Sequence, residues 1–248
     1  MSEDGKPLAI VPKVRKDAHK LIEEFMLLAN KKVAEFVFKP GGNKGERTFV
    51  YRIHDEPDTD KLQVFSTFAK KFGHKLDFRQ EGIARALNRL MDEIEGKPEQ
   101  NVLENLAIRS MAKAKYSVKQ KGHFGLSFAH YTHFTSPIRR YPDMMVHRLL
   151  ARYLSGSTSV NNEEYEEKCT HSSEREKVAS DADRASVKYK QVEYMVPRIG
   201  EEFEGLISGL TEWGIYVEII STKVEGMIRM SALVDDYYEF DEKNMRVV

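Results

Sequence analysis

Fourteen consecutive residues hold the densest set of anion-binding groups in this 248-residue chain: His130-Tyr131-Thr132-His133-Phe134-Thr135-Ser136-Pro137-Ile138-Arg139-Arg140-Tyr141-Pro142-Asp143. Ser136 before Pro137 is a helix-start signal, because proline suits the first helical position and serine caps free N–H groups. Pro142 gives a second start five residues on. A helix N-terminus offers unpaired N–H groups and the positive end of a dipole, which suits an anion. Arg139 and Arg140, lying between two such starts, would gather donors around one phosphate, and an arginine fork can hold it bidentately. The competing reading is that these arginines pair with acids such as Asp143 and only hold a turn. His130 and His133 have zinc-ligand chemistry, but with a single cysteine and no close second pair the spacing does not make a zinc site. Hydrogen bonding to backbone or phosphate is expected of both instead.

The charge distribution supports an anionic partner. Overall the chain is neutral, with 39 basic and 39 acidic residues. Residues 105–150 nonetheless hold eight basic residues, Lys119 and Lys121 among them, against the single acid Asp143, a net charge of +7. Residues 201–248 hold four basic and eleven acidic residues, net −7. A basic segment interleaved with aromatics suggests a polyanion, although a solvated basic face would have the same composition. Hydrophobic residues at 41% and charged residues at 31% describe a globular protein. The longest apolar run, Phe25–Ala29, falls far short of the roughly 20 residues of a membrane helix. One cysteine, Cys169, excludes an internal disulfide framework and fits a reducing compartment, so a soluble cytoplasmic protein is expected.

The elements that must position these groups follow from periodicity. Residues 17–36 read as a helix so apolar in its middle that burial all round is implied. Residues 48–53 alternate as a strand, and 59–72, 83–94 and 99–113 read as amphipathic helices. Residues 116–134 read as strand and loop, and 142–154 as a helix. A long polar helix over 162–194 carries a thin stripe of Tyr165, Cys169, Ser172, Ala179, Ala182, Tyr189 and Val192. Pro197 and Gly200 mark a boundary, after which short alternating runs at 203–210, 214–219 and 224–230 indicate a small all-β module.

Acidic residues are candidate metal ligands, since hard carboxylates suit Mg²⁺. In His54-Asp55-Glu56-Pro57-Asp58-Thr59-Asp60, Pro57 makes a turn, Asp58 or Thr59 caps the next helix and Asp60 favours its first turn. Asp181 and Asp183 lie two apart on a helix and point in different directions, and Asp235-Asp236 falls on a loop. No metal site is predicted from these. Glu23 and Asn30 share one face of the first helix two turns apart, where an ion pair of Glu23 with Lys20 or Arg52 would offset the cost of a carboxylate in apolar surroundings.

The run from Gly122-His123-Phe124-Gly125-Leu126 through His133–Asp143 to His147-Arg148 resembles the C-terminal half of the catalytic domain of the ribonuclease II / ribonuclease R family, nearest its ribonuclease R branch. Ile22–Asn30 and Val50-Tyr51-Arg52-Ile53-His54 resemble two further family motifs, so the resemblance spans essentially the whole chain. It implies a processive 3′→5′ hydrolytic exoribonuclease acting on single-stranded RNA and releasing nucleoside 5′-monophosphates. In it Arg139 would be the catalytic residue, stabilising charge that grows on the phosphate. Ser136, Arg140, Tyr141, Lys119 and Lys121 would be RNA-binding. A glutamate of the second motif, Glu23 or Glu24, would contact a ribose 2′-OH. Gly205-Leu206-Ile207, Trp213–Val217 and Glu225–Arg229 resemble the first three strands of an S-one-type OB-fold, with Trp213 and Tyr216 as stacking platforms and Arg229 covering the same face. Alternatively, Trp213 plugs the barrel end.

The sequence also departs from the family. The family's magnesium-binding aspartate cluster has no counterpart here, and the 49 residues after Ile199 are fewer than the roughly 70 of an OB-fold. The expectation is therefore an α+β chain. Residues 1–196 would be the C-terminal part of a ribonuclease II-type catalytic domain, and residues 197–248 a truncated OB-fold with an unpaired edge over 232–248. Mg²⁺ is implied for the full-length enzyme, which would use two metals to activate a water. None is expected on this chain, which would be inactive alone. The competing expectations are a non-catalytic RNA-binding module that keeps the phosphate clamp, and a protein-interaction scaffold using the acidic tail.

Overall fold

In the computed structural model, residues 2–11, 14–38, 47–234, 236, 238–241 and 246–247 are described. The chain is α+β. In order, its elements are α1 (Asp17–Phe38), β1 (Tyr51–Ile53), α2 (Thr59–Lys71), α3 (Ile83–Ile94), α4 (Gln100–Ser110), β2 (Lys115–Ser117), α5 (Tyr141–Leu154) and α6 (Asn162–Met195). They are followed by β3 (Gly205–Thr211), β4 (Gly214–Ile219), β5 (Glu225–Arg229), β6 (Phe240–Asp241) and β7 (Arg246–Val247). Two compact units result. One joins Val14–Glu56 to Ala112–Asp183, and the other joins Met1–Lys13, Pro57–Met111 and Arg184–Val248.

The first unit is built on a small antiparallel pair, β1 against β2, with Arg52 opposite Tyr116. Helix α5 places Met145, Val146, Leu149 and Tyr153 at helical spacing against Phe49, Val50 and Tyr51, and Cys169 of α6 closes this core. Helix α1 corrects its expectation. Asn30, Ala34 and Val37 are buried, but Leu21, Ile22, Phe25 and Leu28 are exposed. An apolar composition marks surface that gains from burial without saying what covers it. Of the stripe on α6, Cys169 is buried, whereas Ala179, Ala182, Tyr189 and Val192 are exposed.

In the other unit, α2, α3 and α4 bury Phe65, Phe68, Leu87, Leu90, Ile94 and Leu103 together. Asp58 caps α2, its Oδ1 accepting from the N–H groups of Asp60 (2.9 Å) and Lys61 (3.1 Å). Strands β3, β4 and β5 form an antiparallel meander in that order, and β6 pairs with β7. Within the tail expected to leave an open edge, residues 235, 237, 242–245 and 248 lie outside the described residues, Asp235 among them. Among the described residues no helix is long and apolar enough to cross a membrane.

Candidate nucleic-acid site

The arginine turn is assembled by two buried side chains. Asp143, 0% exposed, accepts the Ser136 N–H and an Arg140 Nη2–H through Oδ2, each at 2.8 Å. The Ser136 carbonyl takes the N–H groups of Arg139 (3.3 Å) and Arg140 (3.0 Å), so residues 136–140 make one turn and the helix starts at Tyr141. The helix expected at Ser136 does not form: residues 136–140 close a single turn, and the Ser136 N–H goes to Asp143. The competing reading therefore holds for Arg140 and fails for Arg139. The latter is exposed and makes no side-chain hydrogen bond or ion pair among the described residues, beside an Ile138 that is 99% exposed.

Asn30 of α1 fixes the approach to this turn. Its Oδ1 accepts from Phe134 N (2.9 Å) and Thr135 N (3.2 Å), and its Nδ2 donates to the Tyr131 hydroxyl (3.0 Å). On α5, His147 Nε2 donates to the Phe134 carbonyl (2.8 Å), and its ring stacks on Phe134 at 4.0 Å. Strand β1 holds the preceding segment: Arg52 N donates to Tyr131 O (2.9 Å) and His54 N to Gly122 O (3.1 Å). His54 Nδ1 accepts the Gly125 N–H (3.0 Å), so Nε2 carries the ring hydrogen and donates to Ala112 O (2.8 Å). A Cβ at Gly125 would sit 2.9 Å from that Nδ1, so a side chain there would force the His54 ring to shift. A shallow cleft of about 750 Å³ opens here, lined by His54, Asp55, Lys121, His123 and Phe124 among others.

The histidines of this segment do not supply its charge. Burial first, then Arg140 and Arg52, push His133 down to about 3, and burial with His54 beside it pushes His123 down to about 4. Burial also lowers His130. At Nδ1, His133 and His130 each meet a side chain in place of backbone. The Tyr116 hydroxyl, which burial holds at about 12, hydrogen-bonds with His133 Nδ1 (2.8 Å), and Gln120 Nε2 donates to His130 Nδ1 (2.9 Å). Positive charge at neutral pH comes from the arginines and lysines.

A cleft of about 1050 Å³ lies between this turn and one face of α6, lined by Tyr116, Arg139, Arg140, Tyr141 and Pro142 on one side. Lys168, His171, Ser172, Arg175, Ala179 and Asp183 face it from α6 at the i, i+3 and i+4 spacings of one helix surface. Helix α6 is pinned to the strands by polar contacts. Glu176 forks onto Arg52 (2.6 and 3.1 Å), Ser173 Oγ accepts Tyr116 N (2.9 Å), and Glu166 accepts Val118 N (2.7 Å). The arginine of the first pair lies 4.6 Å over the Tyr116 ring. Sequence reasoning missed Arg175 and this face of α6. Its only signal was a helical spacing of polar residues, which every solvated helix shares.

The remaining expected site residues are placed as follows. Glu23 pairs with Arg15, not with Lys20 or Arg52, and Glu24 is exposed; neither lines the cleft. Lys121 pairs loosely with Asp55 (3.5 Å), and Lys119 is exposed. Trp213, Tyr216 and Arg229 belong to the other unit. Trp213 sits at the β3–β4 turn and is 70% exposed, so it plugs nothing there, and the register places Tyr216 and Arg229 on one face of the meander. Among the described residues no group of three His, Cys, Asp or Glu side chains is placed to hold a metal, so they do not fit a Mg²⁺ site.

Comparison with known proteins now fixes the class. The model of the RNB domain matches residues 1–156. The protein named Ribonuclease R from Aquifex aeolicus is 40% identical over 252 residues, covering 100% of this chain and 35% of its own length. Ribonuclease R 1 from Lactococcus lactis is 41% identical over 254 residues, covering 100% of this chain and 30% of its own. The structure of Mycoplasma genitalium RNase R in complex with ribose methylated single-stranded RNA superposes with a TM-score of 0.88 at 28% identity, covering 99% of this chain and 39% of that one. The chain belongs to the RNB-domain family. It spans about a third of the length of the curated relatives it matches.

Proposed function

We propose that this chain carries the phosphate-holding part of a cytoplasmic 3′→5′ exoribonuclease that hydrolyses single-stranded RNA to nucleoside 5′-monophosphates. The observation that carries the reading is the unpaired, exposed guanidinium of Arg139 on a turn locked from behind by Asp143 and Asn30. A fixed backbone with a free planar fork suits a phosphate, since little freedom is lost when the ligand arrives. Arg139 is the catalytic residue of this reading, stabilising charge that grows on the phosphate. Ser136, Tyr141, Lys119 and Lys121 contact the strand, whereas Arg140, held by Asp143, keeps the turn in shape. In the other unit, Trp213, Tyr216 and Arg229 offer a second RNA surface of the OB-fold kind. Mg²⁺ is implied for the longer enzyme only by the family resemblance.

A second reading, a non-catalytic RNA-binding module, is favoured by one observation: no metal-capable side-chain group stands among the described residues. Kinetics separates the two. In the longer enzyme, Arg139→Ala should lower kcat by ~10²–10³ while RNA binding weakens far less, as for loss of one oxyanion-type donor. Arg139→Lys should stay well below wild type, because a point charge does not reproduce the fork. Single-turnover rates and binding of a non-cleavable RNA read the two effects apart. A normal single-turnover rate at saturation in Arg139→Ala would overturn the catalytic role, and absence of turnover in the longer wild-type protein would favour the binding module.

A further inference from the structure

Two of the arginines lining the cleft between the turn and α6 have no hydrogen-bond or ion-pair partner among the described residues: Arg139 and, on α6, Arg175. The other strong cations there are engaged, Arg140 by Asp143 (2.8 Å) and Lys168 by Glu164 (2.5 Å). Of the acids, Glu176 is held by Arg52. Glu167 and Asp183 line the two ends, each eight residues from Arg175 along α6. At 1.5 Å per residue that is about 12 Å, longer than the ~8 Å over which charges are felt at physiological salt. The middle of the cleft is therefore left to two unpaired guanidinium groups on facing walls.

We propose that Arg175 holds a second phosphate of the RNA strand whose other phosphate is held by Arg139, making the cleft a two-phosphate track. The inference rests on the RNA reading above. Its physical support is threefold. Ser173 and Glu176 tie the α6 backbone on both sides of Arg175 to β1 and β2, so this exposed arginine projects from a fixed point. The cleft, at about 1050 Å³, is slightly larger than the roughly 300–1,000 Å³ of small-molecule pockets, which leaves room for more than one nucleotide. Pro142, Ala179 and the half-exposed Tyr141 ring give the strand apolar surface between the two charges.

The test is equilibrium binding of a fluorescent single-stranded RNA oligomer to this chain over a KCl series. Arg139→Gln and Arg175→Gln should each weaken binding several-fold at low salt. Each should reduce the slope of log K against log[salt] by about 0.7, and the double variant by about 1.4, the value for releasing counterions from single strands. Arg175→Lys should keep the slope. In a second arm, a neutral methylphosphonate is walked along the oligomer from its 3′ end. One position should lose its effect in Arg139→Gln, and a different one in Arg175→Gln. If Arg175→Gln binds with wild-type affinity and slope while Arg139→Gln does not, this inference fails and the RNA reading stands. A single shared position also overturns it. Wild-type chain that binds no RNA overturns both.

Discussion

Asp143 commits one carboxylate oxygen to two donors, the Ser136 N–H and Arg140, and so decides which of two adjacent arginines remains free. The residues alone leave that choice open, and only the family resemblance singled out Arg139. Neighbouring residues in a turn point different ways, and only the position of a buried acid distinguishes them. Removing one partner of a buried ion pair costs about 3–5 kcal/mol, because the other charge stays buried. Asp143→Ala should therefore lower the melting temperature of the unit that holds it by roughly 10 °C, at about 2–4 °C per kcal/mol for a chain of this size. Asp143→Asn, which keeps an acceptor, should lose less. Circular dichroism melts check this ordering. Equal melts for both variants would show that the network does not hold the turn.

The segment from Gly122 to Phe134 is an element of another kind, an irregular strip held by β1 on one side and Asn30 on the other. Its histidines make its stability depend on pH with a definite sign. His123 and His133 are pushed down to about 4 and about 3 in the folded chain, whereas an unfolded histidine titrates near 6.5. Below that value the unfolded chain binds protons that the folded chain refuses, so stability falls as pH drops from about 6.5 towards the folded values. Above about 7 these two residues contribute no pH dependence. Urea midpoints between pH 5 and 7.5, where ordinary carboxylates stay charged, should decline on the acid side. His133→Asn, which keeps a hydrogen-bonding group for Tyr116, should flatten that decline by about one proton's slope. An unchanged slope in the variant would assign the effect elsewhere.

For the whole molecule, the described residues offer no group of three metal-ligating side chains. Millimolar Mg²⁺ should accordingly leave the melting temperature of this chain where an equal ionic strength of KCl leaves it. A ligand at ten times its dissociation constant would add about 1.4 kcal/mol of stability. A saturable rise specific to Mg²⁺ would therefore reveal a divalent site built by this chain's own residues.

What the sequence determined by itself was local. Helix α3 begins and ends where its apolar period does, at Ile83 and Ile94, β4 runs over Gly214–Ile219 as its alternation predicts, and Asp58 caps α2. These signals act between residues a few positions apart, so they can be read along the chain. The motif from Gly122 to Asp143 was equally visible, and with it the family. What only the tertiary structure decided was partnership. Asn30 reaches across 105 residues to Thr135, and Arg52 across 124 to Glu176. The apolar half of α1 stays exposed, and one face of a uniformly polar α6 becomes the wall of a cleft. Hydrophobicity and charge fix what each side chain would gain from a partner. Which partner it meets depends on how distant segments pack, and that is not encoded at any single spacing in the sequence.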